Sequence, residues 1–294
     1  MHALILIVLI VAATLSTSVH IQDDPLVRPY GADRCASCTE WNAPQRPVHL
    51  FGNTYYVGTR GLASVLIASP EGHVILDGGL PDSAPLILAN IKALGFDPAH
   101  VTLILNSHAH FDHAGGIAAL QRASGARVAA SPASARVLKS GTALPEEPQH
   151  GLLFDMPPVP AIEGLTDGQT LRVGRLALTA HFTGGHSPGG TSWSWESCEG
   201  DRCLAFVYAD SLTPVSADEY QFSRNPSVVA DFERSYAVLE RASCDVLLTP
   251  HPAASALWER VASRPDGLVD GEACRRYAAT GRRQLEERLA REGR

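Results

Sequence analysis

A chain of 294 residues with 45% hydrophobic and 19% charged side chains has the composition of a folded globular protein, and argues against fibrous, disordered and membrane-bundle classes. Its net charge of −7, from 24 basic against 31 acidic side chains, and the lack of any Lys/Arg-rich block argue against nucleic-acid partners. The 25 glycines and 20 prolines point to many turns joining short elements.

Residues 3–15 form an apolar run of 13 that ends in Ser16, Thr17 and Ser18. That length suits the core of an export signal and is too short to cross a bilayer of roughly 30 Å as a helix. Residues 1–20 are therefore expected to be a signal peptide, and 21–294 a single domain. The mature chain would then be periplasmic or secreted, without stable membrane association. The start of the run lacks Lys and Arg, so a buried first helix is the competing reading.

Downstream, strand-like runs at 54–58, 64–68 and 73–77 are separated by Gly or Pro turns, the pattern of a β-meander. A helix is expected over 84–94, a buried strand over 101–105, and helices over 116–124 and 131–140 around a strand at 127–130. Residues 141–160 hold five prolines without periodicity and read as a loop, of the long irregular kind that often carries function. The second half repeats the style, with strands at 170–173, 176–183, 191–195 and 204–209, a helix over 231–242, a strand at 245–249 and a charged helix over 274–291. Strands followed by helices, twice over, predict two sheets covered by helices.

Six cysteines, all downstream of the leader, suit an exported chain that pairs them, although sequence alone leaves many connectivities open. Cys198 and Cys203 bracket a hairpin-like tip that a local bridge would close. Cys35 and Cys38 lack a second CxxC pair for zinc, so they read as a tight local bridge or two free thiols.

The chemistry concentrates in Asn106-Ser107-His108-Ala109-His110-Phe111-Asp112-His113, directly after the buried strand. In extended chain, side chains two apart point the same way, so His108 and His110 can close on one ion. Asp112 and His113 then take a new direction, with a helix expected from about Ala114 and its N-terminus favouring an ionised Asp112. Two pairs of donors in six residues imply two metals, which need two further histidines. His186, in Gly184-Gly185-His186-Ser187-Pro188-Gly189-Gly190, and His251, in Thr249-Pro250-His251-Pro252, both follow strands. His181 lies inside a strand, and with His2, His20, His49, His73, His100 and His150 it reads as structural or surface.

These motifs, with Tyr208-Ala209-Asp210-Ser211-Leu212-Thr213, the segment 244–252 and the strand bearing Trp193 and Trp195, resemble the metallo-β-lactamase superfamily, and within it the class B β-lactamases of subclass three. The resemblance implies an αββα sandwich of two mixed β-sheets flanked by helices. It implies a first zinc on His108, His110 and His186, and a second on Asp112, His113 and His251. It pairs Cys198 with Cys203 and Cys244 with Cys274. Where some relatives tie the leader to a cysteine, this chain has Arg60, so a Cys35 to Cys38 bridge is the fallback.

On that pattern the reaction is hydrolysis of a small-molecule β-lactam, carbapenems included, by a hydroxide held between two zinc ions per chain, in a monomer. Asp112 would also orient the nucleophile. Ser211 and Thr213 resemble contacts to the substrate carboxylate, with turn hydroxyls as the plain alternative. Gln149, in the Pro-rich loop, would border the pocket. Asp210 is not a ligand on the subclass-three pattern, although other branches bridge their metals with an Asp at or next to this place. Two alternatives remain: an exported di-zinc lactonase or thioesterase, and a non-catalytic zinc-binding protein. The latter is disfavoured because three-donor sites leave positions open.

Overall fold

The protein is described by a computed structural model over residues 24–263 and 266–293; the expected signal, residues 1–20, lies outside the described residues. A first sheet joins β1 (Val48–Phe51), β2 (Thr54–Tyr56), β3 (Val65–Ile67), β4 (His73–Leu76), β5 (Val101–Leu105), β6 (Arg127–Ala130) and β7 (Glu163–Gly164) in that order. The opening meander is antiparallel, and β4 to β7 run parallel. The second sheet has the order β12-β11-β10-β9-β8. Its strands are β8 (Thr170–Val173), β9 (Leu176–Phe182), β10 (Thr191–Glu199), β11 (Arg202–Tyr208) and β12 (Val246–Leu248). It is antiparallel except for the parallel pair β11 and β12.

Continuous apolar runs, where one wet face would give alternation, show why the first sheet has no solvent side. Leu103 and Leu105 face the second sheet, where they meet Trp193, Phe206 and Leu248, while Ile104 turns to the opposite core. The helices are α1 (Cys38–Trp41), α2 (Ala84–Ala93), α3 (Phe111–Ala114), α4 (Ile117–Ser124), α5 (Pro132–Ser140), α6 (Pro226–Arg241), α7 (Leu257–Ala262) and α8 (Ala273–Glu292). Ile87, Ile91, Ile117 and Leu138 of α2, α4 and α5 cover the outer face of the first sheet. Phe232, Tyr236 and Leu285 of α6 and α8 cover the second. The layers therefore run helix, sheet, sheet, helix, the αββα sandwich expected. Each fully buried branched or aromatic side chain stabilises it by about 1.5–3 kcal/mol relative to exposure.

Three disulfides close Cys35 on Cys38, Cys198 on Cys203, and Cys244 on Cys274. Cys198 and Cys203 face each other across the β10/β11 hairpin, the local closure that their spacing suggests. Several boundaries need correction. The helix expected from about Ala114 begins at Phe111, directly after the extended His110, and is a single turn that ends at Ala114, before Gly115 and Gly116 lead into α4. The helix expected over 231–242 starts at Pro226, whose fixed φ suits a first helical position. Strand β1 and helices α1 and α7 were not expected; four to six residues give too little periodicity to register.

Candidate metal centre

Every donor of the site follows a strand. His108 and His110 follow β5, His186 follows β9, and His251 follows β12; Asp112 and His113 ride the first turn of α3. The structure brings all six into two groups whose donor atoms lie within 4.8 Å of one another: His108, His110 and His186 in one, Asp112, His113 and His251 in the other. The imidazole rings of His108 and His110 meet edge to face with centroids 4.4 Å apart, and those of His113 and His251 are 4.7 Å apart.

The strand ends are held in place by hydrogen bonds across the two sheets. Thr191 N donates to Ser107 O at 2.7 Å, and Trp193 Nε1 donates to Asn106 O at 3.1 Å. Below them Asp77, at the end of β4, adopts φ 61° and accepts from Ser107 N at 2.7 Å, Ser107 Oγ at 2.6 Å and Tyr208 Oη at 2.8 Å. Burial pushes its carboxyl up to about 7 against the pull of those donors. The turn carrying His186 must approach closely: Gly185 has φ 127° with the Phe232 ring against it, and a side chain at Gly190 would strike the Thr183 carbonyl and the Asp210 carboxylate.

Outer partners fix the imidazoles. His108 Nδ1 donates to Asp210 Oδ1 at 2.7 Å, His186 Nδ1 to the Thr213 carbonyl at 2.8 Å, and His251 Nδ1 to the Gly61 carbonyl at 3.3 Å. Each such bond settles the tautomer and leaves the lone pair on Nε2. His108 Nε2 is buried without a protein partner, as is His113 Nδ1. A buried His108 Nε2 without a partner is costly unless a cation takes it, and His113 Nε2 and His251 Nε2 both lie 3.3 Å from Asp112 Oδ2, so the donor set fits a metal.

The electrostatics agree. Burial, reinforced for His108 by the imidazoles of His110 and His186, holds His108, His113 and His186 below the usual histidine range, in the neutral form that a ligand needs. Burial would raise Asp112, but His113, His251 and His110 outweigh it and hold its carboxyl well below the usual range. Burial likewise opposes protonation of His110 and His251, yet Glu147 and Asp112 respectively raise them.

Known proteins share this fold. The profile of the metallo-beta-lactamase superfamily matches residues 57–199. The Rm3 metallo-beta-lactamase is 52% identical with a TM-score of 0.86, over 88% of this chain and 99% of that one. The chain belongs to the metallo-beta-lactamase superfamily. MEM-A1, a subclass B3 metallo-beta-lactamase from a soil metagenome library, is 46% identical with a TM-score of 0.84, over 86% of this chain and 98% of the other. The N-acyl homoserine lactonase AttM of Rhizobium johnstonii is 35% identical over 74 residues, so the chain spans only 28% of that relative's length.

Within this superfamily fold the remaining expected residues separate. Gln149 reaches the first group, its Nε2 3.4 Å from His186 Nε2. Thr213 stands behind His186, its carbonyl bonded to Nδ1 and its Oγ1 3.3 Å away. Ser211 is buried beside Asp210. His181 bonds Ser194 within the second sheet, apart from the donors. Asp210 belongs to neither donor group. Two residues escaped the sequence reading: Asp77, whose signal was an Asp-Gly-Gly turn at a strand end, and Glu147, whose only signal was an acidic pair inside the Pro-rich loop.

Proposed function

We propose that this chain is an exported, monomeric, single-domain β-lactamase that works with two zinc ions, carbapenems lying within its range. One observation carries the reading: two neighbouring groups of three His/Asp donors, five of the six donors buried, whose ligand atoms lie within 4.8 Å of one another in each group. His108, His110 and His186 would hold the first zinc, and Asp112, His113 and His251 the second. Three protein donors per ion leave coordination positions open for substrate, unlike closed structural sites.

When bound, such ions supply Lewis acidity, lowering the pKa of water and polarising a carbonyl. The chain's own residues do the rest. Asp112 stays ionised and offers an oxygen that can orient the attacking water. Ser211 and Thr213 would take the carboxylate carried by β-lactams, Thr213 lying behind His186, and Gln149 borders the same imidazole. The fully paired cysteines support export, since disulfides persist outside reducing compartments. Among the described residues, no helix is long and apolar enough to cross a membrane. The breadth toward carbapenems rests on the resemblance to subclass B3 enzymes.

The test is hydrolysis of a chromogenic cephalosporin and of a carbapenem by purified protein with its metal content measured. Activity is expected to vanish with a chelator and return with zinc. Turnover of a homoserine lactone or a thioester without any lactam turnover would replace this reading with the lactonase one, which now rests on a 74-residue match.

A further inference from the structure

Glutamate is almost never fully buried unless its charge is met. Glu147 is only 4% exposed, although it sits in a loop without helix or strand. Its Oε1 lies 3.3 Å from His110 Nε2, within ion-pair reach though off the axis of a hydrogen bond, and its Oε2 accepts from Ser187 Oγ at 2.9 Å. Ser187 directly follows His186. One carboxylate thus touches one donor of the first group and the turn that carries another.

We propose that Glu147 is a positioning residue of the first donor group: its charge orients His110, and its second oxygen fixes the turn of His186, so that it sets the affinity of this group for its cation. The inference rests on the metal reading above. With Nε2 turned to Glu147, Nδ1 is the His110 nitrogen left to donate. A carboxylate behind an imidazole makes the ring a stronger donor and holds it in one orientation.

The same residue anchors the loop. Glu147 N donates to Leu144 O at 3.1 Å, His150 N to Glu147 O at 2.9 Å, and Ala217 N to Pro148 O at 2.9 Å. Gln149, two residues on, is thereby held against His186. A purely mechanical anchor and a charged support predict different results, because Glu147→Gln keeps the volume and an acceptor for Ser187 but removes the charge.

Zinc retention against a graded chelator decides between them, measured in the full protein and in a His251→Ala background that leaves only the first group to count. Glu147→Gln is expected to weaken first-group affinity by about 10–100-fold and to lower kcat on a chromogenic cephalosporin. The exposed neighbour Glu146→Gln is expected to match the wild type. Wild-type retention in Glu147→Gln, or a change confined to KM, overturns the proposal. Glu147→Ala should lose at least as much; if it fails to fold, the isosteric variant still decides. A wild type that takes up no zinc overturns the metal reading and this proposal together, whereas normal wild-type uptake with an unaffected Glu147→Gln overturns this proposal alone.

Discussion

The two donor groups share a wall of the molecule and differ in how they are held. The first, His108, His110 and His186, is buried throughout, and each imidazole has its own outer partner: Asp210, Glu147 and the Thr213 carbonyl. The second is looser. Its His251 side chain is 32% exposed, rests on a backbone carbonyl at 3.3 Å and lies tilted against Trp41 with ring centroids 5.2 Å apart. Carboxylate support and burial favour retention of a cation, while exposure favours exchange. The first group is therefore built as an anchor and the second as the more labile position.

The largest test of that contrast is His186→Ala, which is expected to reduce lactam hydrolysis to the uncatalysed rate and to empty the anchor; retained zinc by elemental analysis would break the comparison. Next, His251→Ala should lower the zinc content from two ions to one, with the remaining ion in the first group, as read from metal analysis after dialysis. Loss of both ions would show that the groups do not bind independently. Asp210→Ala, which strips His108 of its partner, should weaken first-group affinity by about 10–100-fold in a chelator competition and leave the second group unchanged.

The smallest effect concerns the scaffold beneath the anchor. The carboxyl of Asp77 is raised to about 7 in the folded protein, above its unfolded value of 3.8. A raised acid contributes stability that is fully present below the unfolded value and is lost as pH rises through the folded one. Asp77→Asn, which turns an amide toward the Ser107 and Tyr208 donors, should cost about 1–3 kcal/mol. Its deficit against wild type should be largest near pH 4 and shrink toward pH 7, measured by denaturant unfolding. A deficit that grows with pH would contradict the assignment.

How far the sequence carries this picture depends on the range of the interactions. The six donors were legible because the four histidines His108, His110, His186 and His251 follow buried apolar strands and Asp112 and His113 lie within a few residues of the first two. The two sheets were legible from the same runs. Glu147 was not, because its role depends on contacts 37 and 40 residues away across a loop without periodicity. Asp77 was missed because it acts by accepting from residues 30 and 131 positions distant. The start of α3 was misplaced because Phe111–Ala114 is a single turn, too short to carry a helical period. The bond from His186 to the Thr213 carbonyl was not legible either, because a backbone acceptor can be supplied by any residue type.

That both sheets contribute donors has a thermodynamic consequence. His108 and His110 leave one sheet and His186 and His251 the other, so neither cation position exists until the two halves have docked. A cation held there would bind only the completed tertiary state, and each tenfold excess over its dissociation constant would add about 1.4 kcal/mol to stability. Metal supply thereby doubles as a check on assembly. Starved of zinc, the chain would melt earlier and open more often to proteases, so a thermal-shift titration reads folding and loading on a single axis.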